Sequence, residues 1–241
     1  MKMRTVLLSG LALLLVSTIP GRAADISAEP VAHDWSGFYI GANAGYGGAD
    51  VHGIFDFNDF NDPDDTFPTD GEGPFDLNLD GMVGGLQAGV NWQSGNFVLG
   101  LEGDVSFTDW SDSAIGDGIE RVSAEIDFVG TLRGRAGYAV DRLLVFATAG
   151  VALTDTTYTA DDNFDSPGTD VGSVDFNDIG LVVGGGAEFA LSDSWSLKAE
   201  ALYFMFNDKK DTDTLTDDSD PGDFAELDDA WLARVGVNFH F

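Results

Sequence analysis

The sequence predicts an all-β fold, an eight-stranded antiparallel transmembrane β-barrel with tight turns at one end and long loops at the other. Three observations carry this. Eight segments of period-two alternation, rich in Phe, Val, Leu and Gly, follow one another along the chain. Their connections are long and short in strict alternation. After the N-terminal region, no stretch offers the roughly 20 consecutive apolar residues that a membrane-crossing helix needs, so any crossing must be made by strands.

The elements follow in order. Lys2 and Arg4 precede an apolar run from Leu7 to Ile19, then Pro20 and the small residues Gly21 and Ala23, the pattern of a secretory leader over 1–23. A linker, 24–34, leads to the barrel, 35–241. The first strand, 36–49, places Phe38, Ile40, Ala42, Ala44 and Tyr46 on one face and Gly41, Asn43 and Gly45 on the other. The second, 79–92, sets Gln87 among Gly85 and Gly89 and ends at Trp92. In the third, 97–108, Phe97, Leu99, Leu101, Gly103, Val105 and Phe107 oppose Glu102 and Asp104. The fourth, 124–138, carries Thr131, Arg133, Arg135 and Gly137 in one phase. Both phases of the fifth, 143–153, are apolar, which leaves its facing open. Glu188 lies in the sixth, 179–190, while Lys198 and Glu200 lie in the seventh, 195–206. The eighth, 230–241, alternates Trp231, Ala233, Val235, Val237, Phe239 and Phe241 against Arg234. Three connections, 93–96, 139–142 and 191–194, are hairpin-short. The other four, 50–78, 109–123, 154–178 and 207–229, are long and lie together at the opposite end.

Alternation alone also fits a soluble barrel with its apolar face inward. Apolar-out is favoured by two gatherings of aromatic residues, Trp35, Phe38, Tyr39, Trp92, Phe97, Tyr138, Phe189, Trp195, Phe239 and Phe241 at the turn end, and Tyr46, Phe107, Trp110, Phe176, Tyr203, Phe206 and Trp231 at the loop end. The polar face balances Glu102, Asp104, Glu188 and Glu200 against Arg133, Arg135, Lys198 and Arg234, as a confined interior demands. An Arg facing lipid at mid-depth would cost about 2 to 4 kcal/mol.

Composition narrows the function. With no Cys, the chain has neither a disulfide framework nor a thiolate metal site. Its 42 acidic residues outnumber 11 basic ones for a formal charge of -31, which argues against a nucleic-acid partner. With 44% hydrophobic residues it is not an acidic disordered tail. Thirty-one of the acidic residues fall within 50–80, 109–121, 154–178 and 207–229, the long connections and their margins. Among them Asp211, Asp213, Asp217, Asp218, Asp220 and Asp223 are candidates for weak divalent-cation binding through hard oxygen ligands, although no segment has the spacing of a dedicated calcium loop. Such cations could bridge to lipopolysaccharide phosphates.

The chain has three His. His33 lies in the linker, His240 beside the C-terminus, and His52 in a loop beside Asp50. One His-Asp pair is a poor basis for catalysis and offers no haem ligand pair, so neither an enzyme nor a cofactor is expected.

The stretch Trp35-Ser-Gly-Phe-Tyr-Ile-Gly-Ala-Asn-Ala-Gly-Tyr-Gly-Gly resembles the opening of the opacity-type outer-membrane barrels of Gram-negative bacteria, small porin-like surface antigens related to the OmpA barrel. The tail Arg234-Val-Gly-Val-Asn-Phe-His-Phe is similar to that family's assembly signal, and Gly184-Gly-Gly-Ala-Glu188 with Trp195-Ser-Leu-Lys-Ala-Glu200 resembles its sixth and seventh strands. The resemblance implies an outer-membrane location, periplasmic turns and termini, extracellular loops, and lipid and lipopolysaccharide as surroundings. It also implies that the barrel-assembly machinery reads Val235, Val237, Phe239 and Phe241 at the free edge of the last strand. The expected role is structural and surface-exposed, with envelope integrity as its content. The alternatives are a small cation-favouring channel, in which Arg133, Arg135, Lys198 and Arg234 exchange partners among Glu102, Glu188 and Glu200, and a loop-mediated adhesin or ligand receptor.

Overall fold

The computed structural model describes residues 33–55, 73–115, 121–161, 171–211 and 224–241. The leader 1–23, most of the linker 24–34 and the central parts of the four long loops lie outside the described residues.

Eight strands form, β1 (Gly37–Phe55), β2 (Gly73–Ser94), β3 (Phe97–Ile115), β4 (Arg121–Val140), β5 (Leu143–Asp161), β6 (Val171–Ala190), β7 (Trp195–Asp211) and β8 (Phe224–His240). Each pairs antiparallel with the next, and β8 closes on β1. Closure gives every strand two neighbours, so no edge is left unpaired. Two hairpins turn on a residue at positive φ, Gly95 at 62° and Asp141 at 52°, the left-handed conformation that two-residue turns require. No helix among the described residues is long and apolar enough to cross a membrane.

The strand count and the turn ends agree with the sequence reading, but the loop ends do not. β1 continues to Phe55 rather than 49, β2 starts at Gly73 rather than 79, and β3 and β4 reach Ile115 and Arg121, leaving only 116–120 between them. The other strands lengthen in the same way at that end. Alternation of apolar residues stops where lipid stops, whereas the backbone ladder depends only on N–H and C=O groups and continues beyond it. A 19-residue strand tilted by about 40° stands roughly 45 Å tall, against an apolar band of about 25 Å.

Side-chain facing is unambiguous. On β4, Leu132 is 62% exposed and its neighbour Arg133 is 1% exposed. The outward face carries Phe38, Ile40, Leu86, Leu99, Leu101, Leu181, Val235 and Val237, all exposed. An apolar exterior around a charged interior is the membrane-barrel arrangement. β5, ambiguous in sequence, turns Val145, Val151 and Leu153 outward and buries Leu144, Phe146 and Thr148.

Four aromatic residues assigned to the girdles are instead inside. Trp35, Tyr39, Trp110 and Phe206 are all buried. Tyr39, Trp110 and Phe206 follow the inward parity of their strands, and Trp35 fills the turn-end mouth with Val98, Ala139, Leu144, Phe146 and Ala190. A second, larger apolar cluster, including Val51, Leu77, Leu79, Trp110, Ile126, Phe204, Phe206 and Leu227, fills the loop end. The polar interior lies between these two layers.

Candidate functional site: the charged barrel interior

Alternate residues of six strands build the site. Tyr39 comes from β1, Glu102 and Asp104 from β3, Thr131, Arg133 and Arg135 from β4, Glu188 from β6, Ser196, Lys198 and Glu200 from β7, and Arg234, Asn238 and His240 from β8. Small residues make room for their stems. A Cβ on Gly150 would lie 2.7 Å from the Cα of Arg133 and 2.9 Å from its Cγ, and one on Gly186 would lie 2.8 Å from the Cβ of Glu200. Glycine at these two places lets long charged chains fold across a narrow barrel.

All eight charged residues singled out in the sequence meet in one network. Arg133 bonds Asp104 through Nη2 at 2.8 Å and Glu200 through Nη1 at 3.0 Å, and its Nη2 also pairs with Glu102. Arg234 reaches Asp104 from Nη1 at 2.8 Å and Glu200 from Nη2 at 2.8 Å. Lys198 Nζ lies 2.8 Å from Glu102 and 3.0 Å from Glu200. Arg135 completes the set with Glu188 at 2.8 Å and stacks over Phe146 at 4.3 Å from the ring centroid. Four cations face four carboxylates, so the network carries no net charge. Buried charges persist only with such pairing, because an unpaired one in a dry interior is costly.

Several network members were not identified as site residues in the sequence. Tyr39 donates to Glu102 at 2.6 Å and accepts from Arg135 at 3.0 Å. Ser196 and Asn238 donate to Glu188 at 2.6 and 2.7 Å, and His240 Nε2 lies 3.3 Å from the same carboxylate. Strand parity alone is the signal that finds them, since each lies an even number of residues from a recognised lumen residue.

At the turn-end mouth, outside the strands, His33 docks against Trp35 with ring centroids 4.6 Å apart. Its amide donates to the carbonyl of Asp141 at 3.1 Å. Burial, followed by the charge of His240, holds the His33 imidazole below its ordinary pKa.

The outward parity of β8 presents Val235, Val237, Phe239 and Phe241 together. Phe239 packs between Trp195 and Phe241, with centroids 5.1 and 5.2 Å away, and the Phe241 amide donates to the carbonyl of Phe38 at 3.0 Å. Of the loop carboxylates proposed for divalent binding, Asp211 lies in the β7–β8 ladder opposite Phe224. Asp213, Asp217, Asp218, Asp220 and Asp223 lie outside the described residues. His52 belongs to β1 rather than to a loop, and its ring contacts β8.

The chain matches known outer-membrane proteins over nearly its whole length. The outer membrane protein beta-barrel domain family matches residues 9–241. The chain belongs to this family. It is 32% identical over 261 residues to the 31 kDa outer-membrane immunogenic protein of Brucella melitensis, an alignment spanning 99% of this chain and 100% of that one. To the 22 kDa outer membrane protein of Rhizobium leguminosarum bv. viciae it is 27% identical over 210 residues, which cover 87% of this chain and 80% of the relative. Among solved structures, Neisserial surface protein A superposes with a TM-score of 0.42 and 12% identity over 86% of this chain and 98% of its own.

Membership fixes the frame of this outer-membrane barrel. Its upper girdle contains Tyr46 and Tyr203, whose hydroxyls bond Asp80 and Asp229. Each ring lies at the lipid boundary with its polar end turned toward acidic residues beyond it.

Proposed function

We propose that this outer-membrane surface protein is structural and non-conducting, contributes to envelope integrity, and presents its acidic loops to the outside. One observation carries the reading. The eight lumen charges are at most 6% exposed and lie between two apolar layers. An aqueous thread would wet these groups, and a passing ion would have to separate several buried pairs at once. Delivery relies on the leader, cleaved after Ala23. Folding relies on recognition of Val235, Val237, Phe239 and Phe241 by the assembly machinery, and lipid with lipopolysaccharide surrounds the product. No catalysed reaction is part of this reading.

Planar-bilayer recording of the refolded mature protein tests it, with folding checked by migration of the unboiled sample on a gel. A folded, silent barrel is expected, together with a leaky envelope on deletion of the gene. Sustained cation-selective steps would replace this reading with a narrow channel whose acidic mouth concentrates cations.

A further inference from the structure

Above the upper girdle, on the outer face of the barrel, β1 and β8 meet around His52. The ladder places Asp76 of β2 and Glu226 of β8 opposite His52 on its two sides. The β1–β8 register then shifts. Ala49 pairs with Ala230 and Val51 with Leu227, so Asp228 and Asp229 share the place facing Asp50. Such a bulge re-aims a side chain, and here Asp228 Oδ2 lies 2.7 Å from His52 Nδ1. Glu226 Oε2 lies 3.7 Å from Nε2.

We infer that His52, Glu226 and Asp228 form a binding site for a divalent transition-metal ion of the zinc type. One atom from each residue comes together with the others within 4.8 Å, against about 3.4 Å for the edge of a tetrahedron of about 2.1 Å radius. An ion takes one imidazole nitrogen, so Asp228, beside Nδ1, and Glu226, 3.7 Å from Nε2, must turn toward the same nitrogen to complete the set. Imidazole nitrogen beside two carboxylate oxygens is a borderline donor set that suits Zn²⁺ and its neighbours better than Ca²⁺ or Mg²⁺, which take oxygen alone. The side chains are partly exposed, 40% for His52, 25% for Glu226 and 43% for Asp228. An ion can therefore enter from water and keep water in its remaining positions, the arrangement of an open site rather than a closed structural one. Asp76, Asp228 and Asp229 lie close enough to Asp50 for their charges to act on it, and the group adds a negative field that draws in cations. An ion held here bridges the first and last strands above the lipid, so it ties the closing seam from outside.

The test uses the folded mature protein without an affinity tag, stripped of metal, and zinc alone as the probe at neutral pH. Titration against a chromophoric chelator should reveal one saturable site per chain, weakened more than about tenfold in His52→Ala and in Asp228→Asn. Glu125→Gln, an acid elsewhere on the outer face, should leave it unchanged. In histidine ring NMR of the wild type, one of the three imidazoles should shift on zinc addition, and that signal should be missing in His52→Ala. Equal titration curves for wild type and both variants would overturn the site and reduce it to a hydrogen-bonded His-carboxylate pair in a diffuse acidic field. Displacement of zinc by an equal concentration of Mg²⁺ would overturn it too. Where His52→Ala fails to fold, Asp228→Asn and the wild-type NMR signal separate the same two outcomes.

Discussion

Arg133 on β4 and Glu200 on β7 join opposite walls of the barrel, Nη1 to Oε2 at 3.0 Å, with both side chains inaccessible to water. The same guanidinium holds Glu102 and Asp104. Arg133 is thus the cation shared by three of the four carboxylates in the network.

Replacing Arg133 with Ala leaves those three carboxylates with only Lys198, Arg234 and the more distant Arg135 for compensation. Loss of one partner from a buried set costs about 3 to 5 kcal/mol. Reversible urea unfolding in bilayers should report a loss of this order, and a double-mutant cycle with Glu200→Gln should give a coupling well above that of an exposed pair.

Leu132 faces lipid midway between the girdles, and Leu132→Arg should destabilise the barrel by about 2 to 4 kcal/mol in bilayers. In a soluble barrel an Arg at so exposed a position would be nearly neutral. Unfolding free energies of this variant against wild type measure the difference.

Deletion of Phe241 removes the exposed end of the outward row on β8 and its amide bond to Phe38. Outer-membrane levels should fall strongly in cells. Refolding of the purified variant in detergent should be affected much less, because one terminal contact of a long ladder is lost. Normal levels in cells together with normal heat-modifiable migration would contradict the assembly role.

The docking of His33 should depend on pH. Its pKa is lowered in the folded protein by burial and by His240, with Arg142 acting the same way and Asp193 and Asp34 opposing. The unfolded chain therefore binds the proton more readily, and the contribution of His33 is present above about pH 6.5 and is lost as pH falls below that value. Protection of the His33 amide, its exchange rate measured against the unstructured rate at the same pH, should fall on acidification. In His33→Gln that dependence should be reduced.

Much of the interior was legible in sequence because strand parity is rigid. Once Phe97, Leu99 and Leu101 are turned outward, Glu102 and Asp104 must point in, and the same rule gathers Arg133, Arg135, Lys198, Glu200 and Arg234. Parity applied as strictly to aromatic residues puts Tyr39, Trp110 and Phe206 inside. Grouping them with the girdles followed residue type instead of position.

The number of strands, the order of tight and long connections, the facing of most side chains and the balance of charge in the polar network are written into the residue pattern. Each of these follows from a local period of two and from the cost of placing charge in lipid. How far the strands rise above the membrane, which carboxylate each cation holds, the apolar layers that seal the charges at both ends, and the meeting of His52 with Asp228 rather than Asp50 emerge with the folded barrel. Those features depend on register between strands distant in the chain and on a bulge that shifts it. Period-two patterning says which face a residue takes, but nothing about the level at which two faces meet.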